Sequence, residues 1–227
     1  MQLSDATGAQ AHDALAALLE LHRRHFPTHG HVQVELEANA VHPMPTDDLI
    51  VHQVVATVDD VPAGFIVVHA NLARSIGIVH FLAVEEQFRG VPLGSTPRST
   101  VAAILVDVAE YLVADDGTRS GRPIRFGTVA ESDAEVVKAW NQWGYTPLNI
   151  AYAEPYFGKH WADHGPPEFF DMALVSNAAR NVPYDTEGRD HSPAAVARAA
   201  CEAFLVDHYR LDPDHPRVRA TFASIDV

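Results

Sequence analysis

Three runs rich in valine and isoleucine, residues 49–58, 65–70 and 76–84, follow one another in this 227-residue chain, parted only by "DDVPAG" and "NLARS". Linkers this short cannot carry a crossover between parallel strands, so the runs are read as an antiparallel meander. The third run ends at Val84 and gives way to "EEQFRGVPLGSTPRS"; from residue 98 to 114, Val101, Ile104, Leu105, Val108, Tyr111 and Leu112 then recur at helical spacing. A strand, a glycine-bearing loop and a long helix in this order form a layout that can hold phosphate, because the first helical turn has unpaired N–H groups and partial positive charge. Pro92 stands inside the loop and offers no N–H.

The flanks fill out the fold. Leu15, Leu18, Leu19 and His22 predict a helix over 10–25, and the alternation of Val32, Val34 and Leu36 predicts a strand over 32–38. "IRFGTVA" (124–130) reads as a buried strand. Ser132 and Glu135 form a capping-box pattern for a helix through Trp143, ended by Gly144. Strand-like pieces follow at 146–153 and 168–175, then a linker, "NAARNVPYDTEGRD". Ser192-Pro193 opens a last helix, to about Tyr209. The expected class is α/β (α+β): a mixed, mostly antiparallel sheet flanked by helices. Residues 1–180 are expected to form one domain. Residues 181–227 are expected to add a helical extension packed on that domain or on a second copy, which leaves a homodimer open.

Composition narrows the function. Sixteen basic and 30 acidic residues leave a net charge of −14, which argues against nucleic-acid binding through phosphate neutralisation and suits a cationic amine. Cys201, the one cysteine, excludes an intrachain disulfide framework and a cysteine-rich zinc site. The N-terminus shows no basic region followed by an apolar core, and no run approaches the roughly 18 apolar residues of a membrane span. A cytoplasmic protein with no membrane partner is expected.

With "LAVEEQFRGVPLGS" and "VAESDAEVVKAWNQWGY" in this order, residues 49–153 resemble the GCN5-related N-acetyltransferase (GNAT) superfamily. The first stretch is similar to its Arg/Gln-x-x-Gly-x-Gly/Ala loop, here Arg89-Gly90-Val91-Pro92-Leu93-Gly94; the second is similar to the following strand and helix, with Gly144-Tyr145 where Gly-Phe is common. The resemblance implies a coenzyme A pyrophosphate cradled by Arg89, Gly90, Val91, Leu93, Gly94 and Ser95. It also implies a thioester held by backbone near Leu82 and Val84, and a pantetheine contact at Asp133, where the superfamily often has Asn. Pro92 replaces the first motif glycine. Trp140 stands where a tyrosine often protonates the departing thiolate, and an indole N–H is no useful acid. Tyr145, Tyr152 and Tyr156 are the substitute candidates, with Tyr145 foremost.

Alternation along "VHFLAV" places His80, Leu82 and Val84 on one face. A branch of the superfamily that acylates arylalkylamines has a similar His-x-Leu-x-Val run, which implies that His80 takes a proton from the amine. His22, His25, His29 and His31 crowd the N-terminal region, but no cysteine is near and the spacing crosses a Pro- and Gly-containing turn, so no metal ligand set is read there. By the resemblance this region lines the acceptor pocket, where Glu35, Glu37, Asp47 and Asp48 can meet an amine. The expected activity is transfer of an acyl group, most simply acetyl, from acetyl-CoA or another acyl-CoA to a small-molecule amine without a metal. A divergent enzyme with another donor or reaction, and a non-catalytic CoA-binding module, are the alternatives.

Overall fold

Asp59 and Asp60 adopt positive φ, 50° and 64°, and so close the two-residue hairpin between β2 (Leu49–Val58) and β3 (Val61–Asn71). Aspartate tolerates the left-handed region, whose twist matches that of the paired strands. The hairpin belongs to a computed structural model that describes residues 1–8, 11–95, 99–157, 166–178 and 192–225. β4 (Ile76–Val84) completes the antiparallel meander. Gly64 permits β3 to approach β4: a Cβ there would meet the Ala83 carbonyl oxygen at 2.6 Å.

The remaining elements are β1 (Gln2–Asp5), α1 (His12–His25), α2 (Val32–Val41), α3 (Val101–Arg119), β5 (Thr128–Ser132), α4 (Val137–Gln142), β6 (Thr146–Pro147), β7 (Tyr152–Tyr156), β8 (Glu168–Ser176), α5 (Pro193–Cys201), which runs on as a π-helix (Glu202–His208), and α6 (Pro216–Ile225). The eight-stranded sheet runs β1-β2-β3-β4-β5-β8-β6, with β7 on β8. Every pairing is antiparallel except β4 with β5. This is the mixed, mostly antiparallel, helix-flanked sheet expected. No described helix is long and apolar enough to cross a membrane.

Three cores share the sheet. Val68, Val79 and Val84 pack with Leu105, Ala109 and Val113 of α3 on one face. On the other face, Leu18, Leu21 and Leu36 of α1 and α2 cover Phe65, Val67 and Phe81. Beside them, Ala200, Phe204 and Leu205 of the C-terminal helices cover Ile76, Ile78 and Leu174. The C-terminal helices therefore bury apolar surface against the same sheet. Arg74 pins them, donating from Nε to Asp207 at 2.9 Å and from Nη1 to Glu202 at 2.6 Å. The linker and the expected boundary at 180/181 lie outside the described residues.

Several boundaries differ from expectation. Residues 32–41 form a helix, not a strand: Val32, Leu36 and Ala40 are buried at i, i+4 and i+8, while Val34 is 71% exposed. The capping box at Ser132 does not form. Ser132 ends β5, its Oγ donates to the Asp133 carbonyl, and α4 starts at Val137. The strand placed at 124–130 is β5, which starts four residues later and ends two residues later. The segment 146–153 splits into β6 and the start of β7. On α3 the buried stripe is Val101, Leu105, Ala109 and Val113, leaving Tyr111 exposed, and Thr100 caps the helix by accepting from Ala103 N at 3.3 Å. At the C-terminus, Ser192 caps α5 as expected. The single helix to Tyr209 is instead α5 plus the π-helix, and α6 and β1 were not foreseen.

Candidate active site

β4 and β5 lie side by side only through Gly77, Ile78 and Val79 with Thr128, Val129 and Ala130. Beyond those pairs β4 runs on to Val84, while β5 continues along β8 through Ser132. The two parallel strands part there, and a wedge opens with a strip of β4 backbone along one side. His80 and Glu131 are the first residues past the last pair, one on each strand.

A β-bulge aims His80. On β3, Val67 pairs with Phe81 and Val68 with Val79, so His80 is an extra residue with no counterpart. A bulge interrupts the two-residue alternation and turns a side chain to a new direction. The expectation that His80 shares a face with Leu82 and Val84 is therefore corrected. Those two pack on the α3 side. His80 instead lies against Phe81, at 4.1 Å between ring centroids, and against His208, at 4.2 Å. It faces the seam between the N-terminal and C-terminal helices.

A small cavity fills that seam, lined by His29, His31, Glu35, His80, Glu131 and Tyr209 among others. Glu131 accepts hydrogen bonds from the hydroxyls of Tyr152 and Tyr209, the latter at 2.6 Å. Burial, reinforced by the charge of Glu154, raises its pKa to about 8. Burial likewise raises Glu35 and Glu154. His80 is driven the other way: burial, then His208 and His69, hold its pKa well below the ordinary value, so the ring is neutral. Its Nδ1 is sealed from solvent and has no hydrogen-bond partner. The wedge thus brings a neutral imidazole and a protonated carboxyl to one cavity.

The other expected site residues are placed as follows. After a turn at Glu86–Phe88, Arg89 donates from Nε to the Val84 carbonyl at 2.9 Å, tying the loop to the end of β4. Gly90 takes φ 68°. The N–H groups of Arg89, Val91 and Leu93 are already bonded, to Glu86, Phe88 and Ser99 carbonyls at 3.2, 3.4 and 2.7 Å. Gly94 and Ser95 are exposed, as is Asp133 just past β5. Helical geometry leaves the N–H groups of Val101 and Ala102 without a partner inside α3. Tyr145 lies fully buried, its hydroxyl bonded to that of Thr128 and its ring 4.8 Å from Trp140. Tyr156 lines the cavity. His22 is buried in the aromatic core, 4.9 Å from the Phe81 ring.

The residue reading missed Glu131, Tyr209, His69 and His208. A glutamate closing the apolar run "GTVA" is a signal that could have been used, and so are two histidines, His69 and His80, set inside otherwise apolar strands.

No family model matches the chain, and no curated protein is similar to it. Solved structures are. An aminoglycoside 6'-acetyltransferase type Ii has 18% identity over 78% of this chain and 96% of its own, with a TM-score of 0.48. An acetyltransferase of the GNAT family from Streptococcus pneumoniae has 17% identity over 77% and 97%, with a TM-score of 0.47. Tetrahymena GCN5 has 14% identity over 78% and 95%, with a TM-score of 0.45.

Proposed function

We propose that the protein is an acyltransferase that moves an acyl group, in the simplest case acetyl, from an acyl-CoA to a small amine. The observation that carries this reading is the parting of β4 and β5. Among the described residues, the edge of β4 beyond Val79 that faces away from β3 pairs with no strand, and an extended chain bearing amides, such as pantetheine, can pair with it as a strand would. This reading assigns phosphate to Arg89 and to the N–H groups of Gly90, Gly94, Ser95, Val101 and Ala102, in the loop after β4 and the first turn of α3. The acceptor enters the seam, where the carboxyl groups of Glu35 and Glu154 favour a cationic amine.

In this reading the acceptor's ammonium first gives its extra proton to solvent; the neutral amine nitrogen then attacks the thioester carbonyl, and a β4 backbone N–H stabilises the oxyanion. His80, neutral and with a lone pair free, takes the proton from nitrogen. The C–S bond breaks, and the thiolate takes a proton from Glu131, which is held protonated at neutral pH. Tyr145 is occupied by Thr128 in the core, and this reading gives the acid role to Glu131, which lines the cavity.

Pro92, together with the bonded N–H groups of Arg89, Val91 and Leu93, favours a second reading in which the donor is a thioester of a phosphopantetheine arm without the adenosine diphosphate. Calorimetry with acetyl-CoA and with acetyl-phosphopantetheine, followed by a thiol-release assay across primary amines, separates the readings. Saturable acetyl-CoA binding with amine-dependent thiol release supports the first. Equal affinity for the two donors supports the second. Binding of neither refutes both.

A further inference from the structure

We propose that His69, His80 and His208 form a binding site for one divalent cation of the zinc class, and that an occupied site silences the transferase by taking the lone pair of His80. The second half rests on the function proposed above; the first does not.

The three side chains come from separate elements: β3, the bulge of β4 and the end of the π-helix. Each offers a ring nitrogen, and the three nitrogens lie within 4.8 Å of one another. Ring centroids are 5.2 Å apart for His69 and His80, 4.2 Å for His80 and His208, and 5.6 Å for His69 and His208. His69 is 1% exposed, and neither of its ring nitrogens has a hydrogen-bond partner. Buried polar groups are ordinarily paired, so a sealed imidazole with both nitrogens unpaired and two other imidazoles beside it is an unmet demand that a cation would satisfy. Three neutral imidazoles, of which His80 also lines the cavity, are a donor set that suits zinc, and nickel or copper as well.

The local geometry is specific to this purpose. His80 reaches the trio because the bulge adds a residue to β4. His208 reaches it from a π-helix, a form that recurs at functional sites. Burial also keeps the rings neutral: the pKa of His69 falls to about 3 and that of His208 to about 4. A ligand histidine must be neutral, so no proton has to be displaced at pH 7. Arg210 adds positive charge near His208, which opposes a cation. The same arginine acts on Glu35, and Glu154 lines the adjoining cavity, so the opposing charge is offset in part.

The site also fits the transferase. With a metal on His80, the imidazole has no lone pair left for the amine proton.

The test uses the full chain without a histidine tag, stripped by chelator and dialysed. Co²⁺ is titrated in and followed by visible absorption. One equivalent is expected to give the ligand-field bands of four-coordinate cobalt, and Zn²⁺ is expected to displace it. X-ray absorption of the zinc form should show three imidazoles, with Zn–N at about 2.0–2.1 Å. His208→Ala should weaken zinc by more than the roughly 10–100-fold that loss of an outer-shell partner costs. Thiol release by the wild type should stop at one equivalent of zinc. No saturable uptake, or fewer than three imidazoles, or undiminished affinity in folded His208→Ala, overturns the site. If His208→Ala does not fold, the imidazole count on the wild type decides. Zinc bound at the trio with turnover unaffected overturns the silencing and leaves the site standing. Zinc bound there by a protein that shows no turnover under any condition supports the site and counts against the transferase reading.

Discussion

Replacing Glu131 by Gln should make the protein more stable at alkaline pH and change it little in mild acid. The Glu131 carboxyl is raised from 4.5 to about 8, first by burial and then by Glu154. A group raised in the fold favours the protonated form there. Its contribution is complete below about 4.5, where both folded and unfolded chains are protonated, and it is lost as pH rises through about 8, because unfolding releases the proton. At about 1.4 kcal/mol per pH unit, the span from 4.5 to about 8 sets a ceiling of about 4–5 kcal/mol, of which about 2–4 kcal/mol falls between pH 5 and 8. Water entry and relaxation on ionisation reduce it further. Gln keeps an oxygen for the Tyr209 hydroxyl and never ionises. Other buried groups titrate too: His22, His69 and His208 are shifted downward in both proteins and largely cancel in the difference, whereas Glu154, which acts on Glu131, is relieved of that charge in the variant, and this adds to the variant's gain at high pH. The assay is urea unfolding of both proteins at pH 5, 6, 7 and 8. The stability difference, variant minus wild type, should climb with pH. A difference that stays flat across that range would refute the buried, protonated carboxyl and with it the acid assigned to the thiolate.

The same variant should lose about 10²–10⁴-fold in kcat, the range for one acid–base group, with donor affinity by calorimetry nearly unchanged. Arg89→Ala should raise the Kd for acetyl-CoA about 10–100-fold, the effect of a charged hydrogen bond to phosphate plus the lost tie to the Val84 carbonyl; an unchanged Kd would remove Arg89 from the donor site. Pro92→Gly should bind acetyl-CoA as well or better because an N–H is restored, and a large loss in calorimetry would show that the proline shapes the loop. Gly77→Ala should lower the melting temperature and the donor affinity together, since its Cβ would meet Thr128 Cγ2 and Val113 Cγ1 at 2.7 Å at the root of the wedge; a stable variant with unaltered binding would show that the wedge is not set there.

The meander, the long helix and the loop between them were legible because local rules decide them: short turns force antiparallel pairing, and the spacing of Val101, Leu105 and their neighbours allows one reading. Ser192-Pro193 was legible for the same reason, since a cap is a local device. Residues 32–41 were not, because Val32, Val34 and Leu36 satisfy a two-residue period as well as the i, i+4 spacing, and only packing against α1 and β2 chooses between them. The face of His80 was misread because one inserted residue reverses the alternation, and nothing in "VHFLAV" marks the insertion. Glu131 looked like the polar end of a strand; its meaning comes from Tyr152, Glu154 and Tyr209, which the fold brings from 21, 23 and 78 residues away. The His69–His80–His208 trio lies on three elements, so no spacing along the chain announces it.

The central claim is that an acyl-CoA lies between the diverging ends of β4 and β5. A crystal structure with acetyl-CoA and no amine tests it most directly. The account predicts the pantetheine arm alongside β4 beyond Val79, the thioester oxygen about 2.7–3.2 Å from a β4 backbone nitrogen, and the acetyl group in the cavity lined by His80 and Glu131. Acetyl-CoA bound elsewhere, or a wedge closed by continued β4–β5 pairing past Val79 and Ala130, would contradict it.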